Sequence, residues 1–287
     1  MAKVHEPQMD SMRMNRVRPL TNAGYNVLFI ILAAMAIIPI LFVFIISISS
    51  EESIRQVGYS FIPSSLSSSA YDFLWNERDT IFNALWISVL VTITGTLLGL
   101  ALTSTMGYVL SRPVFKLKGF YTWSVFIPMI FNGGMAASYV VNANLLGLKN
   151  SIWALILPLA VSSFNIIVCK TFFRSTIPDS IIESAKIDGA TQLRIFSTIV
   201  LPISKPVLAT IGLFLTFGYW NDWFQSSLYI TDSHLVSLQA LLNNMMKSLD
   251  YLANNPTAGL SLQQYRNQMP SESVRMAIAV VIVIPIA

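Results

Sequence analysis

Glu183-Ser184-Ala185-Lys186-Ile187-Asp188-Gly189-Ala190, followed nine residues after the glycine by Ile199-Val200-Leu201-Pro202, is a charged insert between two long apolar segments, Ile152–Phe173 and Val207–Ser226. Each flank has the roughly 20 apolar residues that a membrane-crossing helix needs. Charged residues between two such flanks belong in water or against a partner, so the insert is a loop at one membrane face. The rest of the chain agrees. Of 287 residues, 54% are hydrophobic and 11% charged, less than half the roughly 25% charged content of a soluble domain. The composition is that of an all-α integral membrane protein.

Five full spans can be read: Tyr25–Ile48, Asn83–Thr105, Phe120–Val141, Ile152–Phe173 and Val207–Ser226. A sixth begins near Val274 and is still apolar at Ala287. Its fourteen residues would rise only about 21 Å, short of a ~30 Å hydrocarbon core, so the sixth helix is expected to be truncated in this chain. The N-terminal segment, 1–22, is polar and basic, and the apolar run after it is too long for a signal-peptide core. It is read as a cytoplasmic segment ahead of a first anchor. Twelve of the eighteen Lys and Arg residues fall before the first span, between spans two and three, and around the 174–206 loop. They include Arg13, Arg16, Arg18, Arg112, Lys118 and Arg174. The alternate segments hold the other six. The positive-inside rule therefore expects a cytoplasmic N-terminus and a cytoplasmic 174–206 loop.

That loop reads as two short helices and a turn. Asp179 after Pro178 suits a helix start, Asp188-Gly189 a turn, and Thr191 a second helix cap. Ile181, Ile182 and Ala185 give the first helix an apolar side, and Leu193, Phe196, Ile199 and Val200 the second. Such faces can dock in a partner's groove or pack on the chain's own bundle. Periodicity alone leaves both open.

The spacing resembles the cytoplasmic EAA loop of bacterial ABC importer permeases, in which Glu-Ala-Ala is followed by three residues, Gly, nine residues and Ile-x-Leu-Pro. Glu183, Ala185, Gly189, Ile199, Leu201 and Pro202 match, while Ser184 stands in the place of the first Ala. Asp188-Gly189-Ala190 matches the sugar-importer form. Phe131-Asn132-Gly133-Gly134-Met135 resembles the complex-oligosaccharide branch, and the likeness extends over about residues 20–287. It implies the six-helix type I importer fold of the maltose-type second permease. It also implies ATPase-coupling roles for Glu183, Ser184, Ala185, Asp188, Gly189, Ala190, Phe196, Leu201 and Pro202. The implied assembly has a homologous second permease, two cytoplasmic ABC ATPases, an extracytoplasmic binding protein and a carbohydrate solute, in a bacterial cytoplasmic membrane.

The chain has no phosphate-binding Gly-x-x-x-x-Gly-Lys-Ser/Thr, one cysteine and two histidines. It is therefore read as a non-catalytic subunit without a cofactor of its own; ATP and Mg would be held by the partner ATPases. The modest net charge of +4 gives no ground for nucleic-acid binding. A permease for another solute, or a stand-alone secondary transporter, are the competing readings. The latter needs ion-coupling groups in its spans, and Asp222 is the one clear intramembrane acid.

Tyr219-Trp220-Asn221-Asp222-Trp223 in span five combines rings with carboxylate and amide, a chemistry suited to sugars. Asp222 would lie about 22 Å up the helix from Val207. With Asn132 these residues either line a solute path or form an interfacial belt and packing contacts. The 231–273 external loop is long for a simple connection. Leu235–Leu242 and Asn243–Leu252 are patterned for short helices, and Asn243, Asn244, Asn254 and Asn255 offer amides. By resemblance the loop contacts the binding protein; otherwise it is a solvated connection.

Overall fold

The computed structural model describes residues 19–254 and 271–283, and among these every regular element is helical. Two compact units are described separately: 1–73 with 261–287, and 74–260.

In the first unit, α1 (Pro19–Ser47) is a 29-residue apolar helix. Only 6% of its most apolar window is buried, as for a helix whose other neighbour is lipid. It packs against α14 (Ser271–Val283). Between them in sequence lies α2 (Glu51–Val57), with Ser50 Oγ accepting the Ser53 N–H at its start. The Glu51 carboxylate reaches α14: one oxygen accepts the Glu272 N–H (2.8 Å), the Ser273 N–H (2.8 Å) and the Ser273 hydroxyl (3.0 Å). Those N–H groups have no helical acceptor, which explains why the sixth span starts three residues earlier than its apolar run. The N-terminal residues 1–18 and the end of the sixth span lie outside the described residues.

The second unit is organised around α4 (Arg78–Ser111), a 34-residue helix about 51 Å long. Packed on it are α7 (Trp153–Ala160), α8 (Ser163–Thr176), α11 (Lys205–Trp220) and α13 (Leu238–Asn254). The row Gly95, Gly99, Gly107 makes that close packing possible. A β-carbon on Gly95 would overlap the Tyr219 ring. One on Gly99 would meet the Ala160 carbonyl at 3.0 Å, and one on Gly107 would meet Cys169 Cβ at 2.9 Å. Ile87, Val91, Ile156, Phe173, Ile211 and Leu215 are among the core residues buried between these helices.

Spans one and two are continuous, but the next three are interrupted, where the sequence suggested unbroken helices. In span three, α5 (Lys118–Ile130) stops at Phe131, and α6 (Gly134–Tyr139) begins after Asn132-Gly133 and runs on as a wider turn over Val140–Leu145. Pro128 lacks the N–H for its turn. Gly134 has φ +80°, and Asn132 Oδ1 accepts its N–H at 2.9 Å. In span four, α7 and α8 meet at 48°, with Pro158 inside α7 and Ser162 Oγ receiving the Asn165 N–H. In span five, α11 ends at Trp220, and α12 (Phe224–Tyr229) starts after Asn221-Asp222-Trp223. Measured from Lys118, Thr176 and Lys205, the three breaks come after 13, 14 and 16 helical residues, or about 20, 21 and 24 Å. Along α4, the span-four break follows Ala160 beside Gly99, and the span-five break follows Tyr219 beside Gly95.

Candidate functional site

The 174–206 loop folds as the sequence suggests. Helix α9 (Asp179–Ile187) follows Pro178. It ends where Ala190 N–H bonds the Ala185 carbonyl (2.9 Å) and Gly189 N–H bonds that of Lys186 (3.0 Å). Gly189 takes φ +78°. This is the glycine-dependent helix stop that satisfies orphan carbonyls. Thr191 Oγ1 accepts the Arg194 N–H at the start of α10 (Gln192–Ile195). The helix continues through a wider turn (Phe196–Val200) to Ile203, and α11 leaves it at 82°.

The apolar stripe faces the chain's own bundle, except for Ile181 and Leu193, which the spacing placed on it and which are exposed. Ile182, Ile195 and Val200 are fully buried, and Ala185, Ala190, Phe196 and Ile199 pack against the same core. Phe196, expected to meet the ATPase, is half-buried with its ring 5.2 Å from that of Tyr108. The outer surface carries the expected Glu183, Ser184, Asp188 and Gly189, all exposed, with Pro202 exposed and Leu201 half-buried further along. Two apolar residues flank the turn in water: Ile187 is 86% exposed and Leu193 76%.

Two residues the sequence did not single out hold the hairpin to α4. Arg112 sits just past α4, with its side chain only 12% exposed. Its Nη1 pairs with Asp179 Oδ1 at 3.1 Å, Nη2 donates to the Phe173 carbonyl (3.4 Å), and Nε donates to Ser111 Oγ (3.0 Å). The guanidinium also lies over the Tyr108 ring at 5.3 Å. The Tyr108 hydroxyl donates to Gln192 Oε1 at 3.0 Å. Burial, and then repulsion from Arg174, Lys170 and Arg112, holds the nearby Lys118 ammonium below its usual range; the rim around this strap of Tyr108 and Arg112 is cationic. A cavity of about 370 Å³ lies between strap and hairpin, with Val109, Phe115, Ile182, Glu183 and Lys186 in its wall. The only sequence signal for the strap was an aromatic and an arginine four apart at a helix end.

The span-five cluster divides. Tyr219 is buried, with its hydroxyl donating to the Ile156 carbonyl (2.7 Å) and its ring against Gly95; it braces helices. Asp222 is a helix cap, its carboxylate accepting the Gln225 N–H at 3.2 and 3.4 Å. Trp220 Nε1 is buried without a partner. Asn221 and Trp223 are exposed, as is Asn132 at the break in span three. Among the described residues no group of three or more His, Cys, Asp or Glu could hold a metal.

Among the described residues of the external loop, the stretch read as two short helices forms one 17-residue helix, α13. Its start is tied to the bundle: Leu238 N–H bonds Ser88 Oγ (2.8 Å), Ser237 N–H bonds Ser226 Oγ (3.1 Å), and Ser237 Oγ donates to the Asp222 carbonyl (3.2 Å). Leu238, Ala240 and Leu242 are buried, so this half of the loop is a packed element. Asn243 is half-buried with Nδ2 unpaired, and Asn244 is exposed. The side chain of Asn254, and Asn255 altogether, lie outside the described residues.

No family model matches the chain. It is 36% identical over 263 residues to the Bacillus subtilis protein LplC, a match covering 91% of this chain and 86% of that protein. It is 35% identical over 272 residues to a B. subtilis polygalacturonan/rhamnogalacturonan transport system permease protein, YtcP, covering 95% and 92%. A solved chain from a bacterial ABC transporter involved in import of the acidic polysaccharide alginate superposes with a TM-score of 0.79 at 27% identity, over 94% of this chain and 95% of that one.

Proposed function

The chain belongs to the permease subunits of carbohydrate ABC importers, and from that premise we propose how its parts serve import. As a permease it is the non-catalytic membrane component of an ATP-driven importer. Our reading places its N-terminus and hairpin on the cytoplasmic side of a bacterial cytoplasmic membrane, because the basic residues gather there. Of the two ATPases, which would hold ATP and Mg, one takes the hairpin through its outer surface: Ile187 and Leu193 in an apolar groove, and Glu183 toward a basic group. The observation that carries this is the hairpin's two-sidedness. Its inner stripe is already covered by the chain's own core, yet Ile187 and Leu193 stand in water at its tip. Lone exposed apolar residues need no explanation; two flanking a glycine-capped turn fit a helix-in-groove contact.

The solute path is assigned to the three breaks. Irregular backbone in the hydrocarbon layer is tolerated where it is covered by protein or lines water, and interrupted spans mark binding sites in other transporters. Asn132, Asn221 and Trp223 offer amides and a ring there, facing a homologous second permease, for an oligosaccharide solute. The exposed side of α13 with Asn244 would meet the binding protein.

Gly189→Val and Glu183→Lys test the hairpin reading. Val at φ +78° is strained, so the turn distorts; Lys reverses the charge offered to the ATPase. Both variants should insert in the membrane yet lose ATPase association or ATP-driven uptake. Normal association and uptake in both would overturn the assignment.

A further inference from the structure

The hairpin is joined by the chain to only two helices, α8 before it and α11 after it. The longest helix, on which both of these pack, is not adjacent to it in sequence. Yet the end of α4 touches both arms of the hairpin through Tyr108 and Arg112. The two are one helical turn apart and so share a face. Between them they reach the Phe173 carbonyl at the end of α8, Asp179 in the first turn of α9, and Gln192 and Phe196 in the first turns of α10.

We propose that Arg112, backed by Tyr108, is a positioning residue for energy coupling: it locks the hairpin to α4, so that a displacement of the hairpin moves the bundle's central helix. This rests on the reading that the ATPases drive the hairpin, and adds which helix receives the movement.

The geometry favours a mechanical role over a stabilising one. The Asp179 side chain is 59% exposed, and an ion pair with one partner so exposed contributes little to stability. What Arg112 supplies is direction. A planar fork with five donors can hold Asp179, the Phe173 carbonyl and Ser111 at once while its face rests on the Tyr108 ring; a lysine ammonium cannot hold that arrangement. No other carboxylate among the described residues pairs with Arg112, and its neighbours in the rim are the cations Lys118, Lys170 and Arg174. The cavity beside it leaves the hairpin without continuous packing against the 109–115 segment, so the strap is the tie across that gap.

The test uses the assembled importer in proteoliposomes with its ATPases and binding protein, measuring solute taken up per ATP hydrolysed. Arg112→Ala should leave the ATPases bound and hydrolysing while uptake per ATP falls roughly 3- to 30-fold, the range over which residues in coupling networks act. Arg112→Lys should restore only part of it. Arg112→Cys/Asp179→Cys in a Cys169→Ala background should be poorly coupled when reduced and recover when a short bifunctional maleimide joins the two thiols, since the cross-link replaces the tether without its charge. If Arg112→Ala does not assemble, Tyr108→Phe, which removes only the hydroxyl on Gln192, takes its place and should lower uptake per ATP with assembly intact. Unchanged uptake per ATP in the assembled variant, or no recovery on cross-linking, overturns the proposal. Failure of the hairpin reading itself would be seen separately, as normal ATPase binding and normal uptake in both Gly189→Val and Glu183→Lys.

Discussion

Truncating both tip residues of the hairpin, Ile187→Ala and Leu193→Ala, tests the docking surface most directly. Each change removes three carbons from a side chain that makes almost no contact within the chain, so the fold has little to lose. Alanine also suits a helix better than isoleucine and no worse than leucine. At about 0.8 kcal/mol per buried CH2, three carbons are worth about 2.4 kcal/mol if docking buries them fully. Scaling by the exposed fractions, 86% and 76%, gives about 2 kcal/mol for each residue. The sum of about 4 kcal/mol is an upper bound, because interface contributions are not additive. A loss of about 2–4 kcal/mol corresponds to a Kd for the ATPase raised roughly 30- to 1,000-fold. The assay is titration of purified ATPase onto the permease pair in lipid nanodiscs. Ile182→Val is the control: Ile182 is 2% exposed, so that change should cost about 0.5–1.5 kcal/mol of stability while leaving the Kd alone. A double-alanine variant whose Kd stays within about threefold of wild type, less than 1 kcal/mol, would refute the tip as the docking surface.

Glu51→Ala removes the one oxygen that accepts three hydrogen bonds at the start of α14. Losing such a charged cap costs about 2 kcal/mol, so the Glu272 and Ser273 amides should exchange with solvent roughly 30-fold faster, with Glu51→Gln in between; unchanged exchange in Glu51→Ala would discount the cap. Asp222→Ala should lower stability by about 0.5–2 kcal/mol through loss of the α12 cap, whereas Asp222→Asn keeps an oxygen for the Gln225 N–H and should transport normally. Failed uptake by a stable Asp222→Asn complex would show that the carboxylate meets the solute.

These outcomes turn on contacts that the sequence carried unevenly. The hairpin was legible because its signals are local: Asp179 after Pro178, a glycine at the αL position and Thr191 at the next helix start each act within a few residues. Span positions were legible because they depend on composition over about twenty residues. The breaks were not, although Pro128, Pro158 and Gly133-Gly134 stand in plain view. A membrane helix accepts proline and glycine when neighbours satisfy the freed groups, so the residue types permit a break without requiring one. Asp222 shows the same limit. An acid among aromatics reads as a ligand or a snorkelling charge until the helix is known to stop at Trp220, and only then does a cap become its use.

Periodicity had a further blind spot at the hairpin. It marks which side chains share a face, but says nothing of what covers that face. The stripe of Ile182, Ile195, Phe196 and Val200 could have met a partner or the chain's own core, and the core took it. Ile187 lies off the stripe beside the turn, whereas Leu193, which the spacing placed on the buried face, is turned out at the tip. The strap is harder still, since Arg112 and Asp179 are 67 positions apart, and Glu51 is 221 from Glu272. In a membrane protein a lone arginine at a helix end is first counted as a topology signal. That count used up Arg112 before its geometry could be considered, yet the same charge that sets the orientation is placed to hold the hairpin. A substitution chosen to test one role therefore has to be read against the other. Arg112→Lys does this: it keeps the charge that orients the span and removes the fork, so correct insertion with weakened coupling would assign the second role to the guanidinium's geometry.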